Sequence, residues 1–145
     1  MNVQSILAGK GDAVATTTQG ANLADVAQLL RDRGVGALVV SGDGRAIEGI
    51  VSERDVVRAL AAHGSGALGR TVGSVMSTDV VTCSSADGVE RLMSLMTERR
   101  IRHLPVVDGD GRLGGIVSIG DVVKARLGEL ESENRALFDY ITHGR

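Results

Sequence analysis

The chain has 145 residues, of which 43% are hydrophobic, and a formal net charge of −2 at pH 7. This length predicts one domain with an ordinary core, and the near-neutral charge gives no reason to expect nucleic acid or a membrane surface as a partner. One Phe and one Tyr are the only aromatic residues, so stacking platforms for single-stranded nucleic acid are not expected either.

The cysteine content and the N-terminus predict the compartment. Cys83 is the only cysteine, so it cannot form an internal disulfide, which favours a reducing environment. Residues 1–12 lack the basic start and apolar run of a secretory signal, and no apolar segment is long enough to span a bilayer. We therefore expect a cytoplasmic protein without a membrane-spanning segment.

The sequence repeats itself after a shift of 66 residues. Under this shift residues 49–52 fall on 115–118, and Asp55 falls on Asp121. Self-similarity at a fixed period indicates repeated structural units, and two copies predict a pair related by a pseudo-two-fold axis. The predicted divisions are a first unit at 1–66, a second unit at 67–127 and a C-terminal helical extension at 128–145.

The first half of each unit is predicted to be a short strand followed by a helix. The strands are expected at residues 14–17 and 80–83. Apolar residues then recur at helical spacing in both copies. Asn22 and Asp87 lie near the two helix starts, where their side-chain oxygens can cap free backbone amides.

The second half of each unit is predicted to be a β-hairpin followed by a helix. Two apolar runs, ALVV and LPVV, are each followed by Gly-Asp-Gly and by a further strand, GIVS. Asp-Gly favours a tight turn between antiparallel strands. A closing helix starts near Asp55 or Asp121, so each unit reads β-α-β-β-α and the fold class is α/β (α+β).

A hydroxyl and a carboxylate recur where the last strand of each unit meets the closing helix. The pairs are Ser52 with Asp55 and Ser118 with Asp121. One interpretation is that they cap the helices, at about 1 kcal/mol each. The other is that the helix N-terminus and the hydroxyl bind phosphate, while the carboxylate accepts ribose hydroxyls. The repeat does not discriminate between them, because duplication copies caps as well.

Two basic residues, Arg102 and His103, directly precede an apolar strand of the second unit. They are solvated loop residues in one interpretation. If they lie against the serine and aspartate, they form an anion site in which Arg102 can hold phosphate through two hydrogen bonds. The first unit has Gly36 and Ala37 at these positions, so the two sites are predicted to differ in charge.

Metal binding and catalysis are not predicted. The three histidines show no metal-ligand spacing, and no Ser-His-Asp or paired-carboxylate arrangement is evident. Cys83 has no activating partner nearby in the sequence and is expected to be a small buried residue.

The C-terminal segment carries a heptad pattern. Its members are Val123, Leu127, Leu130, Asn134, Leu137 and Ile141, spaced 4, 3, 4, 3 and 4. Asn134 takes an a position, where a polar residue can set the register of a coiled coil. The segment is therefore either a helix of a homodimer or an amphipathic helix lying on its own module.

The repeated unit resembles a cystathionine-β-synthase (CBS) domain, and the chain resembles a tandem CBS pair, or Bateman module. The segments that carry the resemblance are GIVSERD (49–55), GIVSIGD (115–121) and RIRHLPVVD (100–108). It implies clefts that bind adenosyl ligands, namely AMP, ADP or ATP, and in some members NAD(H) or S-adenosylmethionine.

The resemblance also implies two unequal sites. The richer site joins Ser52, Arg54, Asp55, Ser77, Val80, Arg102, His103 and Pro105. In it Asp55 would hold the ribose, while Ser52 and the basic residues would hold the phosphate. The second site joins Ser118, Asp121, Lys10, Ala37 and Lys124.

Three functions follow as alternatives. The first is a non-enzymatic adenine-nucleotide sensor that transmits its ligand state to an unknown regulated protein by a conformational change. The second is an NAD(H)-binding module, and the third is a dimeric interaction protein without a physiological nucleotide.

Overall fold

A computed structural model describes residues 1–143 as six helices and six strands. The helices are α1 (Val3–Lys10), α2 (Leu23–Arg33), α3 (Glu53–His63), α4 (Val72–Val75), α5 (Val89–Arg99) and α6 (Ile119–His143). The strands are β1 (Thr16–Thr17), β2 (Ala37–Val40), β3 (Gly49–Ser52), β4 (Cys83–Ser84), β5 (His103–Val107) and β6 (Leu113–Ser118). A 3₁₀ helix, Gly64–Gly69, follows α3. The predicted fold class is confirmed.

Each unit has a three-stranded sheet of the same topology. The first strand is parallel to the second, and the second is antiparallel to the third. In this register Ala37 lies opposite Ser52, and His103 lies opposite Ser118. Each serine therefore lies beside the first residue of the middle strand, at the point where the closing helix begins.

The helix caps follow the prediction in one unit only. Asn22 accepts a hydrogen bond from the Asp25 amide at 2.9 Å and caps α2. Asp87 does not cap α5, whose N-cap residue is Gly88. Its carboxylate instead accepts a hydrogen bond from the Ser84 amide at 2.9 Å, because the turn before α5 places it closer to the preceding strand.

The first helix of each unit packs in the hydrophobic core of the other unit. Val3 and Ile6 of α1 pack in the core of the second unit, whereas Val72 of α4 packs in the core of the first. The Val3 amide donates to Asp87 O at 3.0 Å, which ties α1 to the second unit. The division at residue 66 follows the repeat, but the packing crosses it twice, so each unit completes the other's core.

Helix α6 runs without a break through the predicted division at residue 128. Its first turns are anchored by Val122 and Ala125, which are buried in the second core. The rest of the helix continues to His143 as a direct extension. The last residues of the predicted extension, 144 and 145, lie outside the described part of the chain.

Candidate functional site

The serine and aspartate of each unit cap the closing helix. The Ser52 amide donates to Asp55 Oδ2 at 2.8 Å, and the Asp55 amide donates to Ser52 Oγ at 3.4 Å, forming a capping box. The same bonds join Ser118 and Asp121 at 2.9 and 3.2 Å. The capping interpretation is therefore confirmed in both units. Within residues 1–143 each carboxylate keeps its Oδ1 atom without a recorded hydrogen bond, so capping leaves an acceptor for a ligand.

The two carboxylates differ in their cationic neighbours. Lys10 Nζ donates to Asp121 Oδ2 at 2.7 Å and to Ile116 O at 2.9 Å. Burial raises the pKa of Asp121, but the hydrogen bonds from Lys10 and Ser118 outweigh it, and the net pKa is below the usual value. No ion pair to Asp55 is found among the described residues. The Asp55 carboxylate is thus the more available of the two.

His103 reaches across to the first unit. A Cβ atom placed on Gly36 would lie only 2.9 Å from His103 Cε1 and 3.2 Å from Glu53 Oε1. The missing side chain at Gly36 therefore makes room for the imidazole ring. Burial lowers the pKa of His103, and Lys10 and Arg102 lower it further, while Glu53 opposes them. The net shift is downward, so the ring is mainly neutral at pH 7.

The start of α3 faces the loop before β5. Arg54 Nη1 donates to Arg100 O at 3.4 Å, which joins the first unit to the second at this point. Arg102 is exposed, and its carbonyl accepts a hydrogen bond from the Ile119 amide at 2.8 Å. Its guanidinium has no recorded partner in the described part of the chain. The loop therefore presents a cation that is not held by a carboxylate.

Ser77 lies on the edge of the first sheet. Its amide and carbonyl both bond to the backbone of Ile50, each at 2.9 Å. Ile50 belongs to β3, two residues before Ser52. The structure therefore brings Ser77 next to the strand that ends at the predicted phosphate-binding serine.

The remaining predicted site residues divide into two groups. Ala37 and Pro105 are buried on the middle strands of the two sheets. Val80 is half-buried and Lys124 is exposed, and among the described residues Lys124 has no recorded hydrogen bond or ion pair. The roles of these four residues in ligand binding therefore stay predictions.

Sequence reasoning missed Glu53. This residue directly precedes Arg54 at the start of α3, and its carboxylate lies beside Gly36 and the His103 ring. A comparison of the two repeats could have found it, because the second unit has the apolar Ile119 at the matching position. The repeated fold therefore does not require a carboxylate there. Glu53 adds a second carboxylate to the helix start that also carries Asp55.

Cys83 behaves as expected for a buried thiol. Burial, with a smaller effect from Asp87, raises the pKa of Cys83 to about 12, so the thiolate is not populated near neutral pH. Within residues 1–143 no group of three His, Cys, Asp or Glu side chains could hold a metal ion.

Among the described helices, none combines the length and the apolar character that crossing a bilayer requires.

Two matching units of this topology, each with a capped helix start facing the other unit, define a tandem pair of small α/β modules. The chain belongs to the CBS domain family, whose profile matches residues 12–62 and 72–128. The predicted resemblance is confirmed.

Solved structures of CBS proteins share this architecture. The CBS-domain containing protein ATU1752 from Agrobacterium tumefaciens is 41% identical, with a TM-score of 0.83 over 87% of this chain and 99% of that one. The CBS domain protein PAE2072 from Pyrobaculum aerophilum, solved in complex with AMP, is 27% identical, with a TM-score of 0.76 over 91% and 99%.

Three of the curated relatives are longer than this chain. The mitochondrial CBS domain-containing protein CBSX3 of Arabidopsis thaliana is 39% identical over 124 residues, which are 83% of this chain and 60% of the relative. Two further relatives are matched over 33% and 51% of their length. The match therefore covers the CBS pair and does not include the remaining parts of those proteins.

Proposed function

We propose that this chain is a regulatory module that binds an adenine nucleotide, with AMP as the first candidate. The observation that carries the proposal is the meeting of the α3 start with the Arg102–His103 loop, where Arg54 bonds to Arg100 and the His103 ring reaches Gly36. This brings a cationic loop beside a helix start that carries Asp55, so Arg102 can hold the phosphate while the carboxylate faces the ribose. A similar CBS protein was solved with AMP bound, which supports the same ligand class here.

Each part of the nucleotide has a matching group in this cleft. The Oδ1 atom of Asp55 is available to accept the ribose hydroxyls, since the capping bonds of this side chain use Oδ2. Arg102 can bind the phosphate with two parallel hydrogen bonds, and His103 can donate a further one. Pro105 lies on the middle strand of the second sheet and would offer an apolar surface to the adenine.

The cleft at Asp121 would be the weaker one. Lys10 already holds Asp121 at 2.7 Å, so a ribose would have to displace an ammonium group. Gly36 replaces the arginine found at position 102 in the other unit, which removes one phosphate-binding group.

We propose that the module regulates another protein and catalyses no reaction. We also propose that it forms a homodimer. A ligand shifts a conformational equilibrium only by its differential affinity for the two states. The proposed ligand contacts both units, and we propose that its binding favours one angle between them. A regulated protein would then bind one of the two arrangements.

The cytoplasm is retained as the proposed compartment. The single buried cysteine fits a reducing environment. One relative is mitochondrial, so the mitochondrion is the alternative compartment.

Calorimetric titration tests the proposal directly. We expect AMP to bind the purified chain with a stoichiometry of one high-affinity site per chain. ADP, ATP, NADH and S-adenosylmethionine should be titrated in parallel. Binding of NADH alone would favour an NAD(H) module, and binding of none of these would favour an interaction protein without a nucleotide.

The Lys10–Asp121 pair gives a second test. In an Asp55→Ala background, where only the second cleft keeps its carboxylate, we expect Lys10→Met to raise adenosine affinity about fivefold. The reason is that a partly exposed ion pair of about 1 kcal/mol no longer competes with the ribose. Adenosine is the probe because it carries no phosphate. Arg33→Met, which removes an exposed cation at the end of α2, is the matched control, and a loss of affinity in Lys10→Met would make Lys10 a ligand rather than a competitor.

A further inference from the structure

The C-terminal half of α6 has an apolar face that is exposed in the described part of the chain. Every residue from 131 to 143 is exposed. Leu137 is 58% exposed and Ile141 is 69% exposed, and both aromatic residues of the chain, Phe138 and Tyr140, are 65% and 63% exposed. Aromatic side chains are enriched in protein interfaces. Their placement on this helix alone indicates a surface that is covered in the assembled protein.

The length of the exposed segment strengthens this conclusion. Thirteen helical residues, 131–143, extend about 20 Å beyond the module. A helix of this length is marginal in water without packing along one face. The heptad positions Leu130, Asn134, Leu137 and Ile141 form that face. It has the a/d spacing of a coiled-coil seam, and it continues the stripe that starts at Val123 in the first turns of the helix.

We propose that a second copy of this chain packs its α6 in parallel against this face, around a two-fold axis along the helices. The proposal rests on the homodimer proposed above and does not depend on the identity of the nucleotide. It adds the surface through which the two copies bind each other. This surface is the helix face formed by Val123, Leu127, Leu130, Asn134, Leu137 and Ile141.

Asn134 favours the parallel orientation. In a parallel pair an a residue faces the same residue of the partner, so the two Asn134 amides can hydrogen-bond to each other. In an antiparallel pair an a residue faces a d residue, here Leu130 or Leu137. The amide would then be buried against a leucine without a hydrogen-bond partner, which is unfavourable.

Charges beside the seam agree with the same orientation. Arg126 takes a g position and Glu131 takes the following e position. A parallel coiled coil brings g of one helix next to that e of the other, so opposite charges meet twice, once on each side of the axis. Within its own chain Arg126 Nη1 lies only 3.9 Å from Glu90 Oε1 and 4.0 Å from Glu129 Oε2. Both contacts are at the long end of the ion-pair range, so they compete only weakly with a carboxylate of the partner copy.

Cysteine cross-linking tests the proposal on the full chain. Leu127→Cys and Ile141→Cys introduce thiols at two exposed a positions 14 residues apart, and the native Cys83 is buried and unreactive. We expect both variants to form disulfide-linked dimers under mild oxidation, since only a parallel pair brings both positions next to their own counterparts. Ser132→Cys and Asp139→Cys, on the outer face of the helix, are the controls and should not cross-link.

The molecular mass in solution distinguishes the results that would contradict the homodimer from those that would contradict only the parallel coiled coil. A monomeric chain at micromolar concentration would overturn both the homodimer and the coiled coil. A dimer in which only one of the two a-position variants cross-links, or neither, would overturn the parallel coil and leave the homodimer in place. As a further control, Glu131→Arg should weaken the dimer, and adding Arg126→Glu should restore it.

Discussion

Replacing Asp55 with alanine is expected to lower AMP affinity about 100- to 1000-fold, corresponding to about 3–4 kcal/mol. A carboxylate that accepts two ribose hydroxyls makes two charge-assisted hydrogen bonds, and both are lost in the variant. The measurement is calorimetric titration of AMP into Asp55→Ala and into the unmodified chain, with thermal unfolding to verify the fold.

Asp121→Ala is the matched control, because the two aspartates have the same capping role. The Ser52 and Ser118 amides donate to them at 2.8 and 2.9 Å. Each variant should therefore lose about 1 kcal/mol of stability from its cap, but only Asp55→Ala should lose the high-affinity site. Equal AMP affinity in Asp55→Ala and the unmodified chain would show that another group holds the ribose.

Replacing Arg102 with alanine is expected to weaken AMP binding about 30- to 100-fold while leaving adenosine binding unchanged. The guanidinium is exposed and has no recorded partner among the residues described, so its removal should not disturb the fold. A fork of two hydrogen bonds to a phosphate contributes about 2–3 kcal/mol. The measured quantity is the ratio of AMP affinity to adenosine affinity.

Lys124→Ala is the control for Arg102→Ala, since Lys124 is also an exposed cation but lies on α6 near the other cleft. Its AMP affinity at the high-affinity site should match that of the unmodified chain. If Arg102→Ala lowered AMP and adenosine affinity equally, the arginine would be shaping the cleft rather than binding phosphate.

Local features of the fold were predictable because they depend on residues close together in the chain. The 66-residue repeat, the hairpins after ALVV and LPVV and the cap at Asn22 all follow from short-range patterns. The role of Asp87 and the continuity of α6 through residue 128 were harder to predict from the sequence. Both depend on where a turn or a helix end meets its neighbours, which periodicity does not report.

The sequence by itself determined the two units, their order of elements and the pairing of each serine with an aspartate three residues later. Only the tertiary structure decided that α1 completes the second core, which carries Lys10 to Asp121. It also decided that the His103 ring occupies the space beside Gly36. These contacts join residues more than 60 positions apart, and their formation depends on how two whole units pack, which no local pattern encodes.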